Sequence, residues 1–520
     1  MKASTKSLIS LKASIQIFIL FVIVILFFSS CREKERSILE ANTIAFKIDS
    51  LLTIAQQNNQ FNGVLLFADT TGVTLNRAYG NIAINQQALL NEHSKFEIAS
   101  VSKTITATLI MRMVELNYFS LESKLIEFFP ELPYNNITIK HLLQHTSGIP
   151  DYYDHIVSKY WDRSRPLTND ALFALFEKYT PKTDFAPGEK FEYSNTGYYF
   201  LAGISEKASQ ETYDELLKKY IFEPAGMEHS KRSVFAEGES GFAKGHELSI
   251  ANSKYVTLNN HEYPEDLLMT YFMDRKGPGG ISSTTNDLWK FSQAIKFNKI
   301  LKEKTTEQMF TPGVLNDGTK TSYGLGWQLA FGKNNSLYTY HRGGTSGYRS
   351  YFMIAHDKGY TYALLTNSQN PYFTPVNNAI QKIITNQKVE PIKHSGVEYL
   401  SLIYKNTAYQ DLEHKVDSLR NLKNYYFNLT EFNSLAWKYW LKKDFENGTS
   451  IMKLAVVSMP DNAGVLEVLA ECYAETGQNK IAVDHYTKVI EMLNADIEKR
   501  DKKWVKDWIV EIKTKIDSLM

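Results

Sequence analysis

A chain of 520 residues has room for two or three domains and a large apolar core. Its net charge of +1, from 58 Lys+Arg against 57 Asp+Glu, sets up no global field for nucleic acid, and no basic stripe interleaved with aromatics is present. Neither a Gly-x-x-x-x-Gly-Lys phosphate loop nor a His-Glu-x-x-His zinc helix occurs, so the sequence implies no nucleotide and no metal or other cofactor.

In chain order, Lys2, Lys6 and Lys12 form a basic region ahead of an uninterrupted apolar run from Ile17 to Phe28. Twelve residues are too few for a spanning helix, which needs about 20, and suit the core of a signal peptide. Phe28-Ser29-Ser30-Cys31 resembles a bacterial lipoprotein cleavage box. The resemblance implies a signal peptide over 1–31, lipidation of Cys31 and a membrane-anchored protein of the bacterial cell envelope. The alternative is a single-pass anchor that stays uncleaved. Arg32 to Ser37 reads as a charged tether, and Ile38 to Gln57 as a helix. Phe61 to Ala68 and Val73 to Tyr79 read as paired strands around an Asp-Thr-Thr-Gly turn.

Ser100 and Lys103 follow, spaced to share one face of a helix. The helix continues through Ile105, Leu109, Ile110, Met113 and Val114 at helical spacing. A serine at such a helix start meets unpaired N–H groups and the positive dipole end, which favour a developing oxyanion. Alone, Ser-x-x-Lys also reads as an N-cap with a surface lysine. Two later motifs change that balance: Tyr193-Ser194-Asn195, and His341-Arg342-Gly343 followed by Gly344.

In that order the three motifs resemble those of serine β-lactamases and penicillin-binding proteins. The Tyr-x-Asn form is similar to class C β-lactamases and their esterase and D-aminopeptidase relatives. His141 to Pro150 and Gly277 to Leu288 look like two further family loops, and the resemblance covers about 45 to 388. It implies an acyl-enzyme on Ser100, with Tyr193 as general base, as a phenolate or coupled to Lys103. The phenol would need its pKa depressed from about 10 by nearby positive charge. Asn195 would hold Lys103 and the substrate, and the N–H groups of Ser100 and Gly344 would form the oxyanion hole, with Gly343 beside it. Position 341 departs from the class C pattern. Histidine stands where lysine is expected, a partly charged group near neutral pH, which favours small esters, amides or peptides over β-lactams. Arg342 is expected to point away from the site, because side chains alternate along a strand. His141 and His145 read as loop-shaping hydrogen bonders. Asp151, Asp154 and His155 read as solvated loop residues, and Tyr152, Tyr153, Trp161 and Tyr271 as candidates for an aromatic acyl pocket.

Residues 100 to 300 read as mostly helices and loops, consistent with an inserted helical region. Gly324 to Leu329, Leu337 to His341, Ser350 to Ala355 and Tyr360 to Thr366 read as strands, and 373 to 386 as a closing helix. The expected fold is α+β, an antiparallel sheet flanked by helices, with the hydrolase over 32–388. Beyond Pro391 everything reads as helix. Leu435 and Leu469, Ala436 and Ala470, and Tyr439 and Tyr473 are each 34 residues apart (469 − 435, 470 − 436, 473 − 439). That period resembles tetratricopeptide repeats over 397–520, implying either a peptide groove or a packing module that braces the hydrolase or self-associates. Cys472 sits in this helical pattern as a small buried hydrophobe, and no disulfide is expected. The rival functions are a D,D-peptidase or true β-lactamase, and a non-catalytic binding or sensor lipoprotein.

Overall fold

The computed structural model describes residues 39–520 apart from 85, 162–166, 237, 259–274 and 496–501. The expected signal peptide, Cys31 and Tyr271 therefore lie outside the described residues. Among the described residues, no helix is long and apolar enough to cross a membrane.

The first helix, α1 (39–57), buries Ala41, Ile44, Ile48, Leu52 and Ala55 along one stripe. It lies against a six-stranded antiparallel sheet built from β1 (Gly63–Asp69), β2 (Gly72–Tyr79), β3 (Gln328–Phe331), β4 (Leu337–Thr345), β5 (Tyr348–Ala355) and β6 (Tyr360–Thr366). The strand order is β2-β1-β6-β5-β4-β3. Every residue of β1 and β6 is buried, because helices cover both faces. On one face Leu65, Phe67, Tyr362 and Leu364 pack with α1 and α5 (Phe373–Ile384). On the other, Val64, Phe352, Ala363 and Leu365 pack with α2 (Ser102–Glu115), α3 (Thr196–Ser209) and α4 (Thr285–Lys296).

The middle of the chain is not purely helical. Phe96–Glu97, Ile281–Ser283 and Lys231–Arg232 form a small sheet, and His246–Ser249 pairs with Lys254–Thr257. The strand expected over 324–329 begins only at Gln328. Gly326 instead turns at φ +87°, where an added Cβ would lie 2.1 Å from the Ala107 Cβ. Close packing on α2 thus replaces extended backbone there. β4 runs further than expected, to Thr345, and its pairing with β3 stops at Tyr340. The His341–Thr345 end is therefore the edge of the sheet.

A second apolar core occupies the helical C-terminal region. Its helices α6 (Gly396–Ile403), α7 (Tyr409–Arg420), α8 (Leu429–Leu441), α9 (Phe445–Ser458), α10 (Ala463–Glu475), α11 (Asn479–Ala495) and α12 (Lys502–Leu519) bury Leu400, Val416, Leu435, Met452, Ala470 and Tyr486. The pair α8/α9 recurs as α10/α11 with both helix starts offset by 34 residues (463 − 429, 479 − 445). Cys472 is buried on α10, and its low-dielectric surroundings push the thiol up to about 12. One hydrolase residue, Ile250, belongs to this second core. Beside it Lys438 Nζ donates to the Leu248 carbonyl at 2.8 Å and pairs with Glu247 at 2.9 Å.

Candidate active site

The turn ahead of α2 is strained. Ala99 is a buried alanine at φ +46°, a left-handed conformation that a Cβ disfavours. It lifts Ser100 into a single 3₁₀ turn (Ala99–Val101) from which α2 departs. One turn on, Lys103 is wholly buried, with its Nζ 3.1 Å from Ser100 Oγ. The same nitrogen donates to Asn195 Oδ1 at 2.8 Å and to the Pro278 carbonyl at 3.0 Å. Asn195 stands at the start of α3, and its N–H donates to Asp151 Oδ2 at 3.3 Å. Tyr193 retains 38 % of its surface, and its ring centroid lies 4.9 Å from Lys103 Nζ.

Burial sets the protonation of this cluster. Desolvation holds the Lys103 amine well below its ordinary pKa, ahead of an opposing pull from Asp151. Desolvation raises Tyr193, ahead of a smaller lowering from the neighbouring Ser100 side chain. The expected depression of the tyrosine is thus reversed: burial favours the neutral phenol of Tyr193 and the neutral form of the Lys103 amine. Lys103 Nζ donates to Ser100 Oγ as well as to Asn195 and Pro278.

β4 supplies the opposite wall. At Gly343 an added Cβ would lie 2.4 Å from the Ile98 carbonyl and 2.1 Å from Ser350 Oγ, with Ser100 N at 3.2 Å. Only glycine lets the strand come this close to the serine loop. Ser350 Oγ donates to the Ile98 carbonyl at 2.6 Å and locks the approach. Thr345 and Tyr348 flank a two-residue turn and so exchange both strand bonds. The next pair, Gly344 and Arg349, must turn its N–H groups away from the partner strand. The Gly344 N–H therefore faces the open edge of the sheet.

His341 is 1 % exposed, and burial lowers its pKa to about 3. Its Nδ1 donates to the Arg342 carbonyl at 2.7 Å, which leaves Nε2 to accept from the Tyr323 hydroxyl at 3.0 Å. The expectation of a partly charged histidine is corrected: this one is neutral and both its nitrogens are engaged. Arg342 is exposed beside Tyr340 and Tyr351, on the other face of the sheet, as alternation requires.

Several participants escape the motifs. Asp151 is a half-buried acceptor for the Asn195 N–H, not a solvated loop residue. His145, at φ +56°, accepts the Ser194 N–H on Nδ1 at 3.2 Å and lies 4.3 Å beneath the Tyr193 ring. His141 shapes its loop from a distance, accepting the Thr138 N–H on Nδ1. His155 is exposed. Tyr152 is buried against Tyr199 at 5.0 Å, and Tyr153 and Trp161 are half-buried on the same core. Among the described residues, no three His, Cys, Asp or Glu side chains are grouped to hold a metal. The guanidinium of Arg275 carries no motif, and the contact of the Pro278 carbonyl with Lys103, inside the Gly277–Leu288 loop, could be found only from the folded chain.

The family model described as Beta-lactamase matches residues 48–385. The chain is 31 % identical over 345 residues to Penicillin-binding protein 4* of Bacillus subtilis, covering 65 % of this chain and 76 % of that protein. Among solved structures, a penicillin-binding protein from Bacillus halodurans superposes with a TM-score of 0.56 at 24 % identity, over 64 % of this chain and 98 % of that one. A D-amino acid amidase from Ochrobactrum anthropi gives 0.55 at 22 %, over 66 % and 99 %. At these identities the structural likeness speaks for the fold.

Proposed function

Because the chain belongs to the beta-lactamase family of serine hydrolases, we propose that Ser100 forms an acyl-enzyme with a small amide, ester or peptide and releases it to water. The observation that carries the reading is the Ser100–Lys103–Asn195 chain of contacts at 3.1 and 2.8 Å, with the Tyr193 ring 4.9 Å from the same amine. Lys103 takes the Ser100 proton as Oγ attacks the carbonyl carbon. The N–H groups of Ser100 and Gly344 hold the oxyanion, a fixed donor pair of the kind that stabilises acyl-transfer transition states. Tyr193, whose ring lies beside the Lys103 amine, relays the proton from Lys103 to the leaving nitrogen or oxygen as the carbonyl re-forms. Water then repeats the sequence on the acyl-enzyme, and the proton returns to Ser100.

The neutral His341 offers no cation to a substrate carboxylate, which favours amides and esters. A second reading, a D,D-peptidase or β-lactamase, is supported by the likeness to Penicillin-binding protein 4*. The completeness of Ser100, Lys103, Tyr193 and Asn195 weighs against a purely binding role. The domains are read as a signal peptide over 1–31, the hydrolase over 32–388 and a tetratricopeptide-like module over 397–520. Cys31 carries the lipid that holds the protein in the cell envelope. The helical module braces the hydrolase, a reading supported by Ile250 and by the Lys438–Glu247 pair.

Fluorophosphonate labelling with peptide mapping tests the site, with Ser100→Ala alongside. Nitrophenyl esters, D-amino-acid amides and a chromogenic cephalosporin test the substrate. Labelling confined to Ser100 with ester or amide turnover is expected. Dominant cephalosporin turnover would transfer the conclusion to the second reading, and a folded protein that neither labels nor turns over would refute both.

A further inference from the structure

Arg275 bridges the two walls of the cleft. Its Nη2 donates to Glu97 Oε1 at 2.9 Å, and its Nη1 to Thr345 Oγ1 at 2.5 Å. Both ends are sheltered, with the arginine side chain 16 % and the glutamate 10 % exposed. The two partners flank the two oxyanion donors in sequence: Glu97 precedes Ser100 by three residues, and Thr345 directly follows Gly344. Arg275 also directly precedes the Lys276–Gly279 turn that presents the Pro278 carbonyl to Lys103.

We propose that Arg275 is a positioning residue, an ionic tie that sets the separation between the Ser100 loop and the Gly344 end of β4. The inference rests on the reading that these two N–H groups bind the oxyanion. The need for a tie follows from the topology. Among the described residues, β4 has no strand on its outer side beyond Tyr340, and its end is a two-residue turn. The Ser350–Ile98 bond joins the walls at the level of Gly343, one residue short of the donor at Gly344. Arg275 joins them on the far side, so that the donor is held between two ties. Oxyanion donors must be held to within about 0.5 Å, and a displacement near 1 Å costs on the order of 100-fold in rate. With Glu97 balancing its charge, Arg275 acts through geometry and not as a cation for substrate.

The test compares Arg275→Gln, Arg275→Lys, Thr345→Val and the Arg275→Gln/Thr345→Val pair in the full chain. The readouts are kcat and KM for a neutral nitrophenyl ester and for one bearing a carboxylate, affinity for phenylboronic acid, and the melting temperature. Arg275→Gln should lower kcat about 10- to 100-fold on both esters with KM within about twofold, and weaken the boronate by a similar factor. Arg275→Lys should recover part of the loss. The double variant should be no slower than Arg275→Gln, because both substitutions break one tie. Unchanged kcat, a loss confined to the carboxylate ester, a fully additive double variant or undiminished boronate affinity would each overturn the proposal. Should Arg275→Gln fail to fold, Thr345→Val alone must still slow both esters, and its failure to do so decides against the tie. Absence of Ser100-dependent turnover in the unsubstituted chain would overturn the acyl-enzyme reading instead.

Discussion

The two cores of this protein bury different things. Around the cleft the hydrolase encloses Lys103, His145 and His341, each 2 % exposed or less, and holds Ala99 and His145 in left-handed backbone. The helical region buries Val416, Phe432, Met452, Leu454 and Val465, with its charged groups such as Lys515 and Glu471 nearer the surface. Burying an amine or an imidazole opposes folding unless each polar atom is satisfied. The first core therefore holds its polar groups at a cost to stability, and the second is built almost wholly of apolar side chains. Substitutions in the first should change rates far more than melting temperatures, and the reverse should hold in the second.

The largest effect falls on the nucleophile and its amine. Ser100→Ala and Lys103→Met should each lower kcat/KM by roughly 10⁴-fold or more, since groups that act as one unit are lost together. Tyr193→Phe leaves the ring in place against His145 and removes only the relay hydroxyl, so a loss of about 10²- to 10⁴-fold is expected. Ester hydrolysis at matched protein concentration measures all three. A Tyr193→Phe protein with near-normal rates would remove tyrosine from the proton path and leave Lys103 to act alone.

Titration sharpens the contrast. Lys103 can act as base only when neutral, and burial has lowered its pKa from the ordinary 10.5. kcat/KM should thus rise with pH and reach its plateau well below 10.5. A rate still climbing at pH 10 would mean an ordinary ammonium. His341 stays neutral down to about 3, so no limb near 6.5 should belong to it. Stability follows the same groups. His341, His246 and His356 titrate at about 3, 4 and 4 in the folded chain, against about 6.5 when unfolded. Below 6.5 the unfolded chain takes up protons that the native state refuses. Their contribution is whole above about 6.5 and is lost as pH falls toward 4. Urea unfolding at pH 7 and pH 4.5 should show the hydrolase weakening, and His341→Gln should flatten that dependence.

What could be read from the sequence divides along the same line. Ser100, Lys103, Tyr193, Asn195 and Gly343 announce themselves because their chemistry is in their side chains, or in the lack of one, at recurrent spacing. The strands β1, β2 and β6 are legible because alternating or continuous apolar runs end in Gly turns. The protonation states are not legible, since they depend on desolvation by residues far away in the chain. His341 reads as a titrating group until the Tyr323 hydroxyl and the Arg342 carbonyl are seen to occupy both its nitrogens. Asp151 reads as a surface loop residue until the Asn195 N–H arrives 44 residues later. Gly326 sits in an apparent strand, and only its contact with Ala107 explains the turn.

The smallest effect on rate is expected in the second core, at Met452. This side chain is fully buried on α9 among the helical residues, with no polar atom to leave unpaired. Met452→Ala should cost about 2–5 kcal/mol of stability, the transfer term plus the cavity left behind. The two regions meet at the hairpin that carries Glu247 and Ile250 and at the Tyr372–Glu398 hydrogen bond. If the cores are as distinct as their contents, kcat/KM should stay within about twofold below the new melting temperature, as for uncoupled sites. If instead the helices hold the hairpin, and the hairpin holds the turn at Gly347 whose Cα lies against Gly245, loosening α9 will reach β4. A tenfold fall in kcat with intact secondary structure would then show that the stabilising core also shapes the catalytic one.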